Sequence, residues 1–229
     1  LYGLDRARSA IHAAGRAVVV EGYTDVIRAH MGGFVNVVAS LGTALTEMHV
    51  RTLCRHTRTI VLALDADAAG QAATLRGLDV AAAAAGDVTP VPTAEGLIRY
   101  EQVADVRLHV AVLPEGLDPD DVVRDDPAAW ERLIAEASPM MEYLFDTLTA
   151  ELDLTRPSDR TVAVERLAPI VASIGDPVAS AAWLDELAQR TGIDRRAIAA
   201  RSVQLADSRP NIPLRRAAPG APPPTAEAQ

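Results

Sequence analysis

Five carboxylates stand where apolar runs end. Ala17-Val18-Val19-Val20 runs into Glu21-Gly22, and Thr59 to Leu64 runs into Asp65-Ala66-Asp67. Leu108 to Leu113 is followed, after a Pro-Glu-Gly turn, by Asp118-Pro119-Asp120. Clustered carboxylates resist joint ionisation unless a cation lies between them. A donor set made only of oxygen suits a hard divalent cation, Mg²⁺ above all. Mg²⁺ held by a few carboxylates and completed by phosphate oxygens is the apparatus of phosphoryl and nucleotidyl transfer. No histidine or cysteine stands close in sequence to these acids, which disfavours zinc. A plainer reading makes Asp65 a helix cap and makes Asp118 and Asp120 turn formers around Pro119. Both readings stand on pattern alone. Acids at three run ends are less easily dismissed than at one, and pattern alone leaves the two readings evenly matched.

The elements that must position these acids follow from periodicity. Residues 4–14 read as a helix ended by Gly15, and 17–20 as a first strand. Thr24 is an N-cap candidate for a helix from Asp25 to Met31, with Asp25 one turn beyond Glu21. Phe34 to Ala39 reads as a second strand, and Thr46 caps a helix from Glu47 to His56. Residues 59–64 form a third strand, and Gly70 to Ala85 an alanine-rich helix. Pro90, Pro92 and Gly96 mark 87–106 as a loop with a little local structure toward its end. Leu108 to Leu113 is a fourth strand, and Asp118 starts a helical turn. Strands alternating with helices give a doubly wound, mostly parallel sheet, whose ligands sit outside the strands' carboxyl ends. Beyond residue 125 only helical periodicity is found. Helices are expected over 127–137, 139–151, 158–174, 177–191 and 194–205, with Ser138, Asp176 and Asp194 as N-caps.

Composition narrows the class. The net charge of −9 is uneven: residues 1–60 carry +3, the tail 209–229 carries +2, and the middle carries −14. An acidic middle argues against nonspecific nucleic-acid binding by this chain alone and suits a site that gathers carboxylates around metal. A single cysteine, Cys54, excludes an internal disulfide framework and a cysteine-based zinc site. No stretch is apolar enough to span a bilayer and no signal peptide is visible, so a cytoplasmic protein is expected. The chain opens on Leu1-Tyr2-Gly3-Leu4 rather than methionine and closes on a Pro/Ala-rich run, as expected of a segment from a longer protein. Weaker candidates for phosphate or nucleic-acid contact are Ser40, Gly42 and Thr43 in one turn and Arg51 and Arg55 on one helix. A plain helix-entry turn and a solvated helix face are the simpler readings of these.

Four stretches taken together carry a resemblance. They are Val20-Glu21-Gly22-Tyr23-Thr24-Asp25-Val26, Ala39 to Thr46, Asp65-Ala66-Asp67-Ala68-Ala69-Gly70, and Leu113 to Asp120. In this order they resemble the TOPRIM core of bacterial DnaG-type DNA primases, and the similarity extends over roughly residues 1–205. It implies the end of an upstream subdomain at 1–15, a TOPRIM catalytic core at 16–124 with 87–106 inserted, an all-α helical subdomain at 125–207, and a Pro/Ala-rich linker or tail at 208–229. It also implies DNA-templated synthesis of short RNA primers from ribonucleoside triphosphates on single-stranded DNA. Glu21, Asp65 and Asp67 are then the principal Mg²⁺ ligands and catalytic acids, with Mn²⁺ able to substitute. Asp118 and Asp120 complete the metal environment, and Asp25 lies just behind it. Ala66 and Ala68 depart from the glycine and arginine that the family often has there, and the second departure removes a cation near the phosphates. Zinc is expected only in an upstream domain, and the replicative helicase through a domain beyond the tail. Without those parts, the chain by itself is expected to be a weak or inactive primase. Two alternatives remain: another TOPRIM phosphotransfer enzyme such as a nuclease, and a non-catalytic module that docks replication proteins.

Overall fold

The computed structural model describes residues 1–41, 45–64, 88–92, 98–102, 106–114, 116–174 and 176–207, the backbone alone at 64, 88–92, 98–102 and 203–207. The expected helix from Gly70 to Ala85, the acids Asp65 and Asp67, the turn residues Gly42 and Thr43, and the tail lie outside these.

The valine-rich runs become the centre of a five-stranded sheet. β1 (Arg16–Val20) lies between β2 (Val37–Ala39) and β3 (Thr59–Leu64), and β6 (Arg107–Val112) follows β3, all four parallel. A strand buried on both faces reads as a continuous apolar run rather than an alternating one, and Ala17 to Val20 are all buried. Alternation then sorts the side chains between two layers. Ala17, Val19, Ile60, Leu62, Leu108 and Val110 join one core, and Val18, Val20, Val61, Ala63 and Ala111 join the other.

The helices divide in the same way. α1 (Leu4–Ala14) and α3 (Glu47–Cys54) cover the first face. α2 (Tyr23–Met31), α4 (Pro119–Asp125) and α5 (Pro127–Ala135) cover the second. The later helices α6 (Met140–Thr149), α7 (Pro157–Ala172), α8 (Pro177–Thr191) and α9 (Arg195–Asp207) return to the first face. There Phe145, Leu167, Leu187 and Ile198 enter the same core as Ile60 and Leu62. Arg190 of α8 fastens this stack: it bonds Glu186 and Asp146, each at 2.6 Å, and its guanidinium lies 5.2 Å above the Phe145 ring. The fold is the doubly wound, mostly parallel sheet followed by helices that the sequence implies.

Four local expectations need correction. Helix α2 begins at Tyr23 with Gly22 at its N-cap, not at Thr24, because the Asp25 carboxylate accepts the Gly22 N–H at 3.0 Å. β2 is shorter than expected, since 35–36 are turn and the strand begins only at Val37. The 87–106 segment contains an antiparallel hairpin of β4 (Val88–Pro92) and β5 (Ile98–Gln102), a separate two-stranded sheet. Pro90 and Pro92 are two apart, so their absent N–H groups fall on the same side of the strand, which a two-stranded ribbon tolerates when that side is outermost. Ser138 does not cap a helix. Ser138–Pro139 form β7, antiparallel to β6 and on the sheet's edge, where a proline costs least. The sheet therefore draws its fifth strand from beyond residue 125.

The opposite edge is closed by the start of the chain. Tyr2 exchanges two backbone hydrogen bonds with Ala39 of β2, at 2.9 and 3.2 Å, and blunts that edge. Gly3 makes the approach possible: its φ is +79°, and an added Cβ would stand 2.8 Å from Val26 Cγ1. Gly3→Ala is expected to destabilise the chain by about 2 kcal/mol, combining the left-handed penalty with overpacking against Val26. Urea unfolding checks it, and a loss below about 0.5 kcal/mol would mean that the Tyr2 edge contact is not maintained in solution.

Candidate functional site

Because β1, β2, β3 and β6 are parallel, their carboxyl ends meet on one edge. Val20 is in register with Ala39, and Leu64 with Val112. Glu21 follows β1 directly and is partly exposed there. The corner behind it is tightly held. Asp25, buried on the first turn of α2, accepts the Gly22 N–H, and its negative charge also suits the helix N-terminus. Across the strand gap, Ser40 N–H donates to the Val20 carbonyl at 3.3 Å and Leu41 N–H to the Glu21 carbonyl at 3.1 Å.

These two bonds alter one expectation. Ser40 was a candidate to offer a backbone N–H to phosphate, but its N–H is taken up by Val20 of β1 and that of Leu41 by Glu21 just beyond it. Leu41 also has φ +65°, the one left-handed non-glycine residue among those described, a conformation costing roughly 1–2 kcal/mol. The strained residue is the one whose N–H donates to the Glu21 carbonyl.

The third segment supplies a carboxylate group. Asp118 is the N-cap of α4, its Oδ1 accepting the Asp121 N–H at 2.7 Å. Pro119 at the first helical position needs no donor. Asp120 pairs with Arg28 of α2 at 2.9 Å and, more weakly, with Arg124 one turn on at 3.5 Å. Asp121 pairs with Arg124 at 2.6 Å. Arg124 also makes two bonds to Asp125, at 2.8 and 3.0 Å, which hold the Asp125 carboxyl below the usual range and the guanidinium above its own.

One oxygen from each of Asp118, Asp120 and Asp121 lies within 4.8 Å of the others. Oxygens that share one ion stand at most about 4.2 Å apart for Mg²⁺ and about 4.8 Å for Ca²⁺, so the three carboxylates would draw slightly together around Mg²⁺. Hard oxygen donors fit such an ion, although Arg28 and Arg124 already compensate two of the charges. Among the described residues this is the one such group, and Glu21 is not in it.

The plain and the chemical readings of Asp118 and Asp120 thus both have geometry behind them: the same carboxylates cap, pair and cluster. Asp121 is the residue that sequence reasoning passed over. Its signal was the spacing 118, 120, 121 around Pro119, which folds an N-cap back over the first helical turn. Of the remaining candidates, Arg51 pairs with Glu47 along α3 at 2.6 Å, as on a solvated helix face. Arg55 is exposed at the C-terminus of α3.

Comparison with known proteins agrees with this architecture. The Toprim domain model matches residues 15–92, and the model for the DnaB-helicase binding domain of primase matches residues 141–196. The protein thus carries a Toprim domain. A DNA primase of Streptomyces coelicolor is 32% identical over 214 residues, covering 90% of this chain and 30% of that one. A DNA primase domain from Pseudomonas aeruginosa superposes with a TM-score of 0.73 at 30% identity, covering 89% of this chain and 59% of that structure. A DnaG primase catalytic domain bound to single-stranded DNA superposes with a TM-score of 0.65 at 29% identity, covering 82% and 56% respectively. The chain belongs to the bacterial DnaG-type primases and spans about a third of the length of the curated relatives it matches. The helicase-binding model falls within α6 to α9, whereas the sequence placed helicase contact beyond the tail.

Proposed function

We propose that this chain is the part of a DNA primase that holds the reacting phosphates: a DNA-templated RNA polymerase core that joins ribonucleotides into short primers on single-stranded DNA. What supports the reading is that Glu21 follows β1 and the Asp118/Asp120/Asp121 group follows β6, beyond the carboxyl ends of parallel strands, in a chain similar to DNA primases. Glu21, Asp65 and Asp67 are the proposed catalytic acids and metal ligands, with Asp118, Asp120 and Asp121 beside them. Asp65 and Asp67 enter on the family pattern and on following β3. The ion is Mg²⁺, with Mn²⁺ able to replace it. When bound, it would neutralise triphosphate oxygens. The chain's own contribution is positioning. Asp25 and the strained Leu41 fix the Glu21 corner, and the α2–α4 ion pair between Arg28 and Asp120 fixes the acidic turn against it.

Residues 16–124 serve as the catalytic core and 125–207 as the helical region, with 1–15 the end of an upstream part and 208–229 a linker. The helicase partner is proposed to meet α6 to α9, where the helicase-binding model matches. Among the described residues no helix is long and apolar enough to cross a membrane, in keeping with a replication protein of the cytoplasm.

Mn²⁺ titrated into the chain tests the site, read by water relaxation. Saturable binding is expected, and Asp67→Asn and Asp121→Asn should each weaken it by about tenfold or more. Equal binding by wild type and both variants would remove the carboxylate edge as a metal site. Repeating the titration with a nucleoside triphosphate present shows whether phosphate oxygens complete the coordination.

A further inference from the structure

The amino ends of the strands gather arginines and histidines, with Glu136 nearby because Arg16 donates to the Ile134 carbonyl at the end of α5. Register places Arg16, Thr59 and Arg107, the first residues of β1, β3 and β6, side by side. The approaches to those strands are tied together: Thr57 Oγ1 donates to the Gly15 carbonyl at 2.6 Å, and Arg107 N–H donates to the Arg58 carbonyl at 2.7 Å. His12, in the last turn of α1, and His56, just after α3, meet edge to face there. Their rings are 5.3 Å apart and interplanar at 89°, with His56 Nδ1 3.3 Å from His12 Nε2. Arg8 lies one helical turn before His12, and Arg55 adjoins His56. Arg8, His12, Arg55, Arg58 and Arg107 are all exposed. Among the described residues, none of these four arginines forms an ion pair with a carboxylate, whereas Arg28, Arg124, Arg190 and Arg195 all do.

We propose that this amino edge is a separate contact surface for the phosphodiester backbone of nucleic acid, formed by Arg8, His12, Arg55, His56, Arg58 and Arg107. It stands independently of nucleotidyl transfer at the carboxyl edge. Exposed guanidiniums with no described carboxylate partner, gathered on one edge, are the electrostatic footprint of phosphate binding. The acids of the far edge do not cancel it. A five- or six-residue strand separates the two edges by roughly 17–20 Å, about two Debye lengths in physiological salt.

The histidines add pH dependence. The His56 ring is held below its usual pKa by burial, then by His12, Arg8 and Arg55, and no described carboxylate acts on it. The acids of α1 and α3, Asp5 and Glu47, stand in the first turns of their helices, at the ends away from His12 and His56, and Glu47 pairs with Arg51. Asp105, just before β6, lies outside the described residues. A phosphate seated between the rings and the arginines would offset that repulsion and raise the proton affinity of His56. Binding then takes up protons and tightens as pH falls.

Fluorescence anisotropy of a labelled single-stranded oligonucleotide of about 15 nucleotides, without divalent metal, tests this on the whole chain. Expected is binding that is roughly tenfold tighter at pH 6 than at pH 8 and about 50-fold weaker on raising salt fourfold, as for about four neutralised phosphates. Joint His12→Gln and His56→Gln should flatten the pH dependence. Joint Arg55→Gln, Arg58→Gln and Arg107→Gln should weaken binding at both pH values by about tenfold or more. Circular dichroism confirms that the variants fold. No binding by wild type, pH-independent binding, or binding unchanged in the arginine variant overturns the proposal. Because metal is omitted, failure of the carboxyl-edge reading would leave this result untouched.

Discussion

Trp130→Ala is expected to lower stability by about 3–5 kcal/mol, a large share of the 5–15 kcal/mol that holds a typical domain together. Trp130 is 1% exposed and lies on α5 against Phe34, their ring centroids 6.3 Å apart, in the core that includes Val18, Val61 and Ala111. In a chain so poor in aromatics, this indole fills space that no neighbouring alanine or valine can reclaim. The loss is therefore the transfer term plus an unfilled cavity. Phe145, fully buried in the opposite core, should cost a similar amount on truncation to alanine. The two cores share one sheet, so each substitution should shift a single urea transition without changing its slope. Two separable transitions, or a loss below about 1 kcal/mol for Trp130→Ala, would mean that the layers are not one cooperative unit.

The sheet was legible because its signal is local. Unbroken runs such as Val18-Val19-Val20 and Ile60-Val61-Leu62 can only be satisfied by burial on both faces, and glycines at 15 and 192 end helices in left-handed conformation. Thr46 and Asp176 cap α3 and α8 as their side chains suggest. Elements without a period of their own stayed hidden. β7 has two residues and exists only because β6 offers an edge. The β4–β5 hairpin contains prolines that ordinarily argue against a strand. The Gly22 cap depends on Asp25 reaching back, which residue preferences at single positions do not encode.

The site divides along the same line. That acids stand at the carboxyl edge follows from strand direction, so Glu21 and the 118–121 turn could be placed from sequence. The partners of those acids could not. Arg28 and Asp120 are 92 positions apart, and their bond exists because α2 and α4 pack on the same face of the sheet. The use of the Ser40 and Leu41 N–H groups by Val20 and Glu21 likewise depends on a cross-strand register, not on the composition of their turn. Helix-terminal signals make Asp118 look like a cap, and it is one. Its proximity to Asp120 and Asp121 is a consequence of that cap, which is why capping and metal holding are not exclusive here.

Glu21→Gln is expected to reduce template-dependent ribonucleotide incorporation by about 10²–10³-fold or more, measured with Mg²⁺ in a polypeptide of the relatives' full length carrying these residues. Glutamine keeps the shape and the hydrogen-bonding oxygen of Glu21 but removes its charge, so the loss reads electrostatics rather than packing. Asp25→Asn is the informative contrast. An asparagine oxygen can still accept the Gly22 N–H, so the corner should hold and activity should fall by roughly tenfold or less. Asp25→Ala removes the acceptor, frees Gly22, and should cost more than Asp25→Asn although neither carries charge. If charge at Glu21 matters through a bound metal, Mn²⁺ affinity should fall in Glu21→Gln and stay near wild type in Asp25→Asn. Retention of more than a tenth of the activity by Glu21→Gln would take Glu21 out of the reaction and leave the edge to Asp65, Asp67 and the 118–121 group. Parallel losses in activity and metal binding would instead join β1 to the acidic turn as one site.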